Sequence, residues 1–312
     1  MSADRTLPAL ATAGAILFAL APVAPQWLIF LLTLALAKGL VVLGLVLLMR
    51  TGLVSFGQGL YFGIGAYAAA LLGTRAGVLD AIAMIAEAAL AAAAVAALLG
   101  LLLARYREIF FAMLSLAFSM ILYGVLVKSS ALGSTDGFNL HAKTLAGVPL
   151  PAGEERRFFY ALAVAAAFAA GWAMHRYLGT HFGRLSAAVR DNELRVEYLG
   201  ASVFGVVYAN YVIAGALGGL GGAFAALAVG HVDPETVYWT TSGEFVFIAI
   251  LGGTGNVLAP FLSAAIFEAV RTLANQYAPN VWQMTLGIVM LLLIMFLPSG
   301  LWSLVKRNRG AA

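Results

Sequence analysis

The chain has 312 residues, 62% hydrophobic and 10% charged, with a mean hydropathy of +0.95. A soluble globular chain is about 25% charged and about 45–50% apolar, so 18 Lys and Arg with 14 Asp and Glu could not clothe a soluble fold of this size. The composition argues against a soluble enzyme, a nucleic-acid-binding module and a disordered chain, and predicts an all-α polytopic membrane protein forming one domain over residues 1–312.

A bilayer-crossing helix takes about 20 apolar residues. In chain order such segments fall at 8–24, 27–49, 53–73, 80–104, 109–127, 158–178, 204–229, 236–252, 257–274 and 282–301, which predicts about ten transmembrane helices. Met1-Ser2-Ala3-Asp4-Arg5 runs straight into the first of them with no cleavage site ahead of a soluble domain, so that segment reads as a retained span. Segment 53–73 is unusually rich in glycine. Segments 236–252 and 257–274 are short and could form one span broken at residues 252–256.

Charge decides that last choice, because cytoplasmic loops carry the excess of Lys and Arg. The most basic loop, 179–203, holds Arg184, Arg190 and Arg195, and the tail holds Lys306, Arg307 and Arg309. If both are cytoplasmic, an even number of crossings separates them, which requires two spans with a turn at 252–256. Both termini then read as cytoplasmic. Eleven of the 18 basic residues fall inside, six outside, and Lys38 within a span. Four of those six lie in the long outside loop 128–157, nearly balanced by Asp136, Glu154 and Glu155.

Lipid leaves no backbone polar group unpaired, so glycine-rich polar runs at membrane depth are informative. The first is residues 52–67, GLVSFGQGLYFGIGAY. Gly59 and Gly63 have the spacing that lets helix backbones approach closely, as do Gly215 with Gly219 and Gly218 with Gly222. The alternative is a broken or re-entrant helix lining a solute path. Ser55 and Gln58 inside an apolar run favour the path. Its candidate lining is Ser55, Phe56, Gln58, Gly59, Tyr61 and Phe62, with Ser115 from segment 109–123. The outside run Leu132–Phe138 carries an Asp-Gly turn signal, and His231 in the second outside loop reads as solvated. Lys38, Glu87, Glu244 and Glu268 fall within apolar segments, where a charge is costly and needs a partner or a wet cavity.

Residues 181–201 are helix-forming, amphipathic and highly charged, with Leu185, Val189, Val196 and Leu199 on an apolar strip. Such a helix lies on a membrane surface or inserts into a groove on a soluble partner.

At these residues the chain resembles the LivM/LivH-type permeases of branched-chain amino acid ABC importers, and is closest to the LivM branch. The matching blocks are residues 52–69, 106–118 with the following LGSTDGF, 186–200 (SAAVRDNELRVEYLG), 214–224 (AGALGGLGGAF), 242–260 (SGEFVFIAILGGTGNVLAP) and 296–301 (FLPSGL). Gln58 stands where family members often carry histidine, and Tyr198 where alanine is usual. The resemblance implies a bacterial inner-membrane subunit importing branched-chain amino acids or related small polar or amphipathic solutes. Its implied partners are membrane lipid, a homologous LivH-like permease, two ATP-binding subunits and a periplasmic substrate-binding protein that docks on loops 128–157 and 230–242. Region 181–201 then matches the family's version of the EAA motif. The ATPase-coupling residues expected from it are Arg184, Arg190, Asp191, Asn192, Glu193, Arg195, Glu197 and Gly200, with Arg190 and Glu193 against the ATPase.

The sequence has no G-x-x-x-x-G-K-[ST] phosphate loop, so ATP is expected on partner subunits and no cofactor or metal on this chain. No catalytic constellation stands out. The competing reading is an ion-coupled carrier that works without ATPases through Lys38, Glu87 and Glu268.

Overall fold

A computed structural model of the chain describes residues 6–302 except 141, 143, 150, 152, 278 and 297–299. Arg5, His141, Lys143, the basic tail and three positions of the block 296–301 therefore lie outside the described residues.

Twelve α-helices form among the described residues: α1 (Thr6–Leu20), α2 (Gln26–Arg50), α3 (Gln58–Arg75), α4 (Ala81–Leu103), α5 (Glu108–Lys128), α6 (Glu155–Gly179), α7 (His181–Asp191), α8 (Glu193–Tyr198), α9 (Val203–Val229), α10 (Trp239–Gly252), α11 (Ala259–Tyr277) and α12 (Trp282–Phe296). All but α7 and α8 fall on the ten apolar segments. Five, α2, α4, α5, α6 and α9, are long and apolar enough to cross a membrane, and α1, α10 and α12 are shorter apolar helices.

Local causes are visible. Helix α4 is alanine- and leucine-rich, and its N-cap Asp80 accepts from the backbone N–H of Ile82 and Ala83 at 3.1 and 3.2 Å. Helix α9 carries six glycines that would weaken it in water. Packing overrides that penalty. Its small residues let α2, α3 and α4 come within backbone contact: a Cβ at Gly218 would sit 2.7 Å from Tyr61 Cβ, and one at Gly221 2.5 Å from Ala37 O. Helix α2 is buried on every side from Ala35 to Leu48, so it and α9 form the centre. Helices α4, α5 and α6 are peripheral and turn broad apolar faces outward.

The ten longer helices alternate between two ends of the molecule. One end gathers the start of α1, the α2–α3, α4–α5 and α10–α11 junctions, and α7–α8. Asn256 Nδ2 donates to Thr6 Oγ1 there, and the Arg50 guanidinium donates to Thr254 O at 3.1 and 2.7 Å. The Leu301 N–H returns to Leu251 O at 2.8 Å, bringing the chain past α12 back to the same end.

The opposite end carries two short antiparallel strand pairs. Strand β1 (Phe138–Asn139) pairs with β4 (His231–Val232), and β2 (Thr144–Leu145) with β3 (Val148–Pro149). His231 is less free than its loop position suggests, because Asn139 Oδ1 lies 2.9 Å from Nδ1. Asp80 ties β2–β3 to the α3–α4 corner. Gly147 N donates to its carboxylate at 2.9 Å and Thr144 Oγ1 at 3.2 Å. The Gly147 bond first, then those from Ala83, Thr144 and Ile82, hold the Asp80 carboxyl below its usual range despite opposing desolvation.

Two boundaries differ from the sequence expectation. Residues 51–57 are irregular and α3 starts only at Gln58. The connection from α9 to α10 does not stay at the surface: its 3₁₀ turn Pro234–Val237 packs Thr236 and Val237 on Gly63, and the Val237 carbonyl faces Gly59. Gly63 lies twelve residues along α3 from Arg75, so the connection descends roughly 18 Å into the bundle. That descent is why α10 has only 14 residues.

Candidate translocation and coupling site

The irregular segment 51–57 and the descending turn 234–237 meet between α3, α5 and α10. Irregular backbone at that depth needs internal partners, and hydroxyl groups supply them. Phe56 N donates to Ser115 Oγ at 3.2 Å, and Gly57 N to Ser55 Oγ at 3.2 Å. Gly59 N donates to Ser242 Oγ at 2.9 Å, and Ser119 Oγ donates to Val237 O at 2.7 Å. Ser55, Ser115, Ser119 and Ser242 are all buried. The result is a belt of neutral polar groups.

Of the seven path candidates, all but the partly buried Phe56 are enclosed within the chain. Tyr61 turns to α9, where its hydroxyl donates to Tyr211 OH at 2.7 Å. Phe62 packs edge-on against Phe245 of α10, with centroids 5.3 Å apart. Gly59 lies against Ser242 and the descending turn. Gln58 is wholly buried beside Gly218, and neither its Oε1 nor its Nε2 has a hydrogen-bond partner among the described residues. Ser119 and Ser242 belong to the same belt. Ser115 and Ser119 share one face of an otherwise apolar α5 at i and i+4, a pattern that marks Ser119 from sequence.

The region 181–201 is two helices, not one. Asn192 adopts an extended conformation at φ −165°, ψ 105°, ends α7, and caps α8 by accepting from Arg195 N at 3.0 Å. Among the coupling candidates, Arg184, Arg190, Asp191, Asn192, Arg195, Glu197 and Gly200 are exposed. Leu194, Tyr198 and Leu199 are exposed too, at 64%, 89% and 84%, an unusual cost for apolar side chains unless something covers them. Leu199 therefore points away from the strip on which its spacing put it, because the break at Asn192 rotates α8 relative to α7.

The inner face of the pair is anchored. Val189 and Val196 join a hydrophobic cluster with Leu48, Leu53, Leu60, Tyr61, Phe111, Val203, Val207 and Tyr211. Ser186 Oγ accepts from Asn210 Nδ2 at 2.9 Å, and Asn210 Oδ1 accepts from Tyr177 at 2.7 Å. Arg190 lies over Gly52, whose φ of 81° puts the irregular segment in the left-handed region that suits glycine. Glu193 pairs with Arg107 at the foot of α5, Oε1 to Nε at 2.5 Å.

Four of the intramembrane charges form one cluster, which reaches α10 at Glu244, two residues from Ser242. Lys38 Nζ lies 2.9 Å from Glu244 Oε2 and 2.5 Å from Glu268 Oε1. Arg271 is 3.6 and 3.7 Å from the same two carboxylates. Arg271 also stacks on Trp282, and Lys38 on Phe267. Two cations and two anions thus balance between α2, α10 and α11. Glu87 stands apart; its Oε2 is buried with no hydrogen-bond partner among the described residues. No group of three or more His, Cys, Asp or Glu among the described residues could hold a metal ion.

Comparison with known proteins places this architecture. Residues 27–296 match the family model described as branched-chain amino acid transport system, permease component. The chain is 28% identical over 302 residues to the high-affinity branched-chain amino acid transport system permease protein LivM of Escherichia coli, covering 87% of this chain and 70% of that one. It is 27% identical over 292 residues to LivM of Salmonella typhimurium, covering 85% and 68%. A 143-residue stretch is 30% identical to the probable LivM of Methanocaldococcus jannaschii, covering 40% and 41%. No solved structure matches. The chain is a membrane protein and belongs to the branched-chain amino acid transport system permease component family.

Proposed function

We propose that this chain is the transmembrane permease subunit of an ATP-driven ABC importer for branched-chain amino acids or related small polar or amphipathic solutes. The observation that carries the reading, beside the family match, is the two-faced α7–α8 pair. Its outer face offers Arg184, Asp191, Arg195 and Glu197 with the exposed Leu194, Tyr198 and Leu199, a surface suited to a soluble partner. Its inner face packs into the cluster that holds α3 and the foot of α5. A permease driven by a separate ATPase needs such a surface, since force must cross between subunits.

In this reading α1–α6 and α9–α12 make ten crossings of a bacterial inner membrane. The end bearing α7–α8 is cytoplasmic, together with both termini, and the 128–157 and 230–242 segments receive the periplasmic binding protein. The partners are a homologous LivH-like permease and two ATP-binding subunits, which bind the ATP. Solute passes along the belt of Ser55, Phe56, Gln58, Gly59, Tyr61, Phe62 and Ser115 by alternating access. The ion-coupled alternative has less motive in Lys38 and Glu268, which neutralise each other together with Glu244 and Arg271.

The test is purification of the chain from its native membrane in mild detergent, with every bound chain identified by mass. A second permease and ATP-binding subunits are the expected companions. Recovery of the chain alone, with uptake that survives ATP depletion, overturns the reading.

A further inference from the structure

Helix α5 is held unlike its neighbours. Of its 21 residues only Phe111, Ser115, Ser119 and Leu126 are buried, a single narrow seam. Along that seam Phe111 meets Tyr211 edge-on at 5.8 Å. Ser115 holds the backbone of Phe56, and Ser119 holds the carbonyl of Val237. So α5 closes the contact between both irregular segments of the belt, and its remaining contacts are made by partly buried residues such as Tyr123, whose ring meets Tyr238 at 4.9 Å.

Its foot is held differently. Arg107 is the N-cap residue of α5, and its guanidinium is fixed from three directions. Nη1 donates to Ala104 O at 2.7 Å and to Tyr106 O at 2.9 Å, and Nε reaches Glu193 Oε1 at 2.5 Å. Glu193 is the first residue of α8. The corner between α4 and α5 is under strain at the next residue, since Glu108 has φ 50°, in the left-handed region that favours glycine. A strained corner, a loosely seated helix and a charge clamp to the coupling region coincide at one place.

We propose that Arg107 and Glu193 are positioning residues through which α8 moves α5, so that displacement of the coupling region pulls Ser115 and Ser119 off the two irregular segments. This rests on the reading of α7–α8 as the ATPase-docking element. It also gives Glu193 an intramolecular role in place of a direct contact with the ATPase.

The test uses the complete transporter, co-purified and reconstituted in proteoliposomes with its binding protein and radiolabelled leucine as the solute. Arg107→Glu, Glu193→Arg and the swapped double variant R107E/E193R are compared for ATP hydrolysis and for solute taken up per ATP hydrolysed. Each single reversal is expected to leave ATP hydrolysis within about twofold and to cut uptake per ATP by about tenfold or more, the scale of a typical coupling free energy. The swap is expected to restore uptake per ATP to within about threefold of the wild type, because the pair reforms with opposite polarity. A swap that transports no better than the single reversals overturns the pairing. Singles that lose only assembled complex, with normal uptake per ATP in what remains, overturn the coupling role and leave a purely structural bridge. If the underlying reading fails instead, the wild type itself shows no ATP-dependent uptake, which separates the two failures.

Discussion

Replacing Lys38 by methionine tests whether the intramembrane charges are architecture or machinery. Lys38 lies 2.9 Å from Glu244 and 2.5 Å from Glu268, with its own side chain 7% exposed and that of Glu268 4%. At an effective dielectric of about 20 each contact carries roughly 6 kcal/mol of gross Coulomb attraction. Desolvation consumes most of that gain, and the cost of removing one partner is set by the charge left behind, about 3–5 kcal/mol. In Lys38→Met the two carboxylates face only Arg271, at 3.6 and 3.7 Å, and the cluster carries one uncompensated negative charge. Thermal unfolding of the detergent-solubilised complex, followed by size-exclusion chromatography, should therefore fall by on the order of 10 °C. The double variant K38M/E268M keeps Glu244 opposite Arg271 and is charge-balanced. It should unfold within a few degrees of the wild type and retain ATP-dependent uptake, because burying apolar groups in place of an ion pair is close to neutral. Wild-type stability in Lys38→Met would refute the electrostatic argument. A balanced variant that is stable but transports nothing would give the cluster a role in transport and revive the ion-coupled mechanism.

Further predictions concern the belt and the far end. Gln58→Met removes a buried amide with no partner, so stability should rise by about 1–3 kcal/mol while uptake falls; wild-type uptake in a stabilised variant would remove Gln58 from the path. Gly59→Leu places side-chain atoms where Ser242 Oγ already lies 2.7 Å from the Cβ position, and uptake per assembled complex should be lost; uptake equal to wild type would show that the turn 234–237 yields freely. Asp80 has a depressed carboxyl pKa, so its contribution is fully present above the unfolded-state value and is lost as pH falls through the folded-state one. Hydrogen-exchange protection over residues 144–149, taken relative to the intrinsic exchange rate at each pH, should therefore fall on acidification in the wild type, and Asp80→Asn should flatten that dependence; identical protection profiles would place the tether elsewhere.

Helix existence was legible because lipid is a simple solvent: a segment either stays apolar for the required length or does not. The refinements come from backbone that is not helical. Segment 53–73 reads as one apolar run, yet Gly52 at positive φ and residues 53–57 without helical structure delay α3 to Gln58. Segment 236–252 reads as a short span, and its shortness follows from a connection that descends onto Gly59 and Gly63, a contact no local pattern announces. The break at Asn192 was readable, since asparagine followed by glutamate is a helix-start signal inside a helical run. Charge pairing was not readable. Lys38 and Glu244 are 206 residues apart, and Arg107 and Glu193 are 86 apart. In the sequence Arg107 counts only toward the sidedness of a loop.

The placement of charge and hydroxyl follows from one physical demand. Irregular backbone inside a membrane protein must be paired, and the choice of partner decides what the segment can do next. A charge would pair it tightly and would also hold any solute of opposite sign. Serine pairs it with a single neutral bond, a net contribution of about 1 kcal/mol, small enough to be exchanged for a bond to solute or water. Ser115 and Ser119 sit on a helix with a narrow buried seam, and their partners, Phe56 N and Val237 O, belong to the two segments that interrupt helices. Moving α5 therefore uncovers a donor on one side and an acceptor on the other in a single step. Those are the groups that a small zwitterionic solute can use, and in the closed arrangement they are already satisfied, so closure costs no unpaired polar group. The charged cluster of Lys38, Glu244, Glu268 and Arg271 ties α2, α10 and α11 together, and in the proposed coupling these helices are the side against which α5 moves.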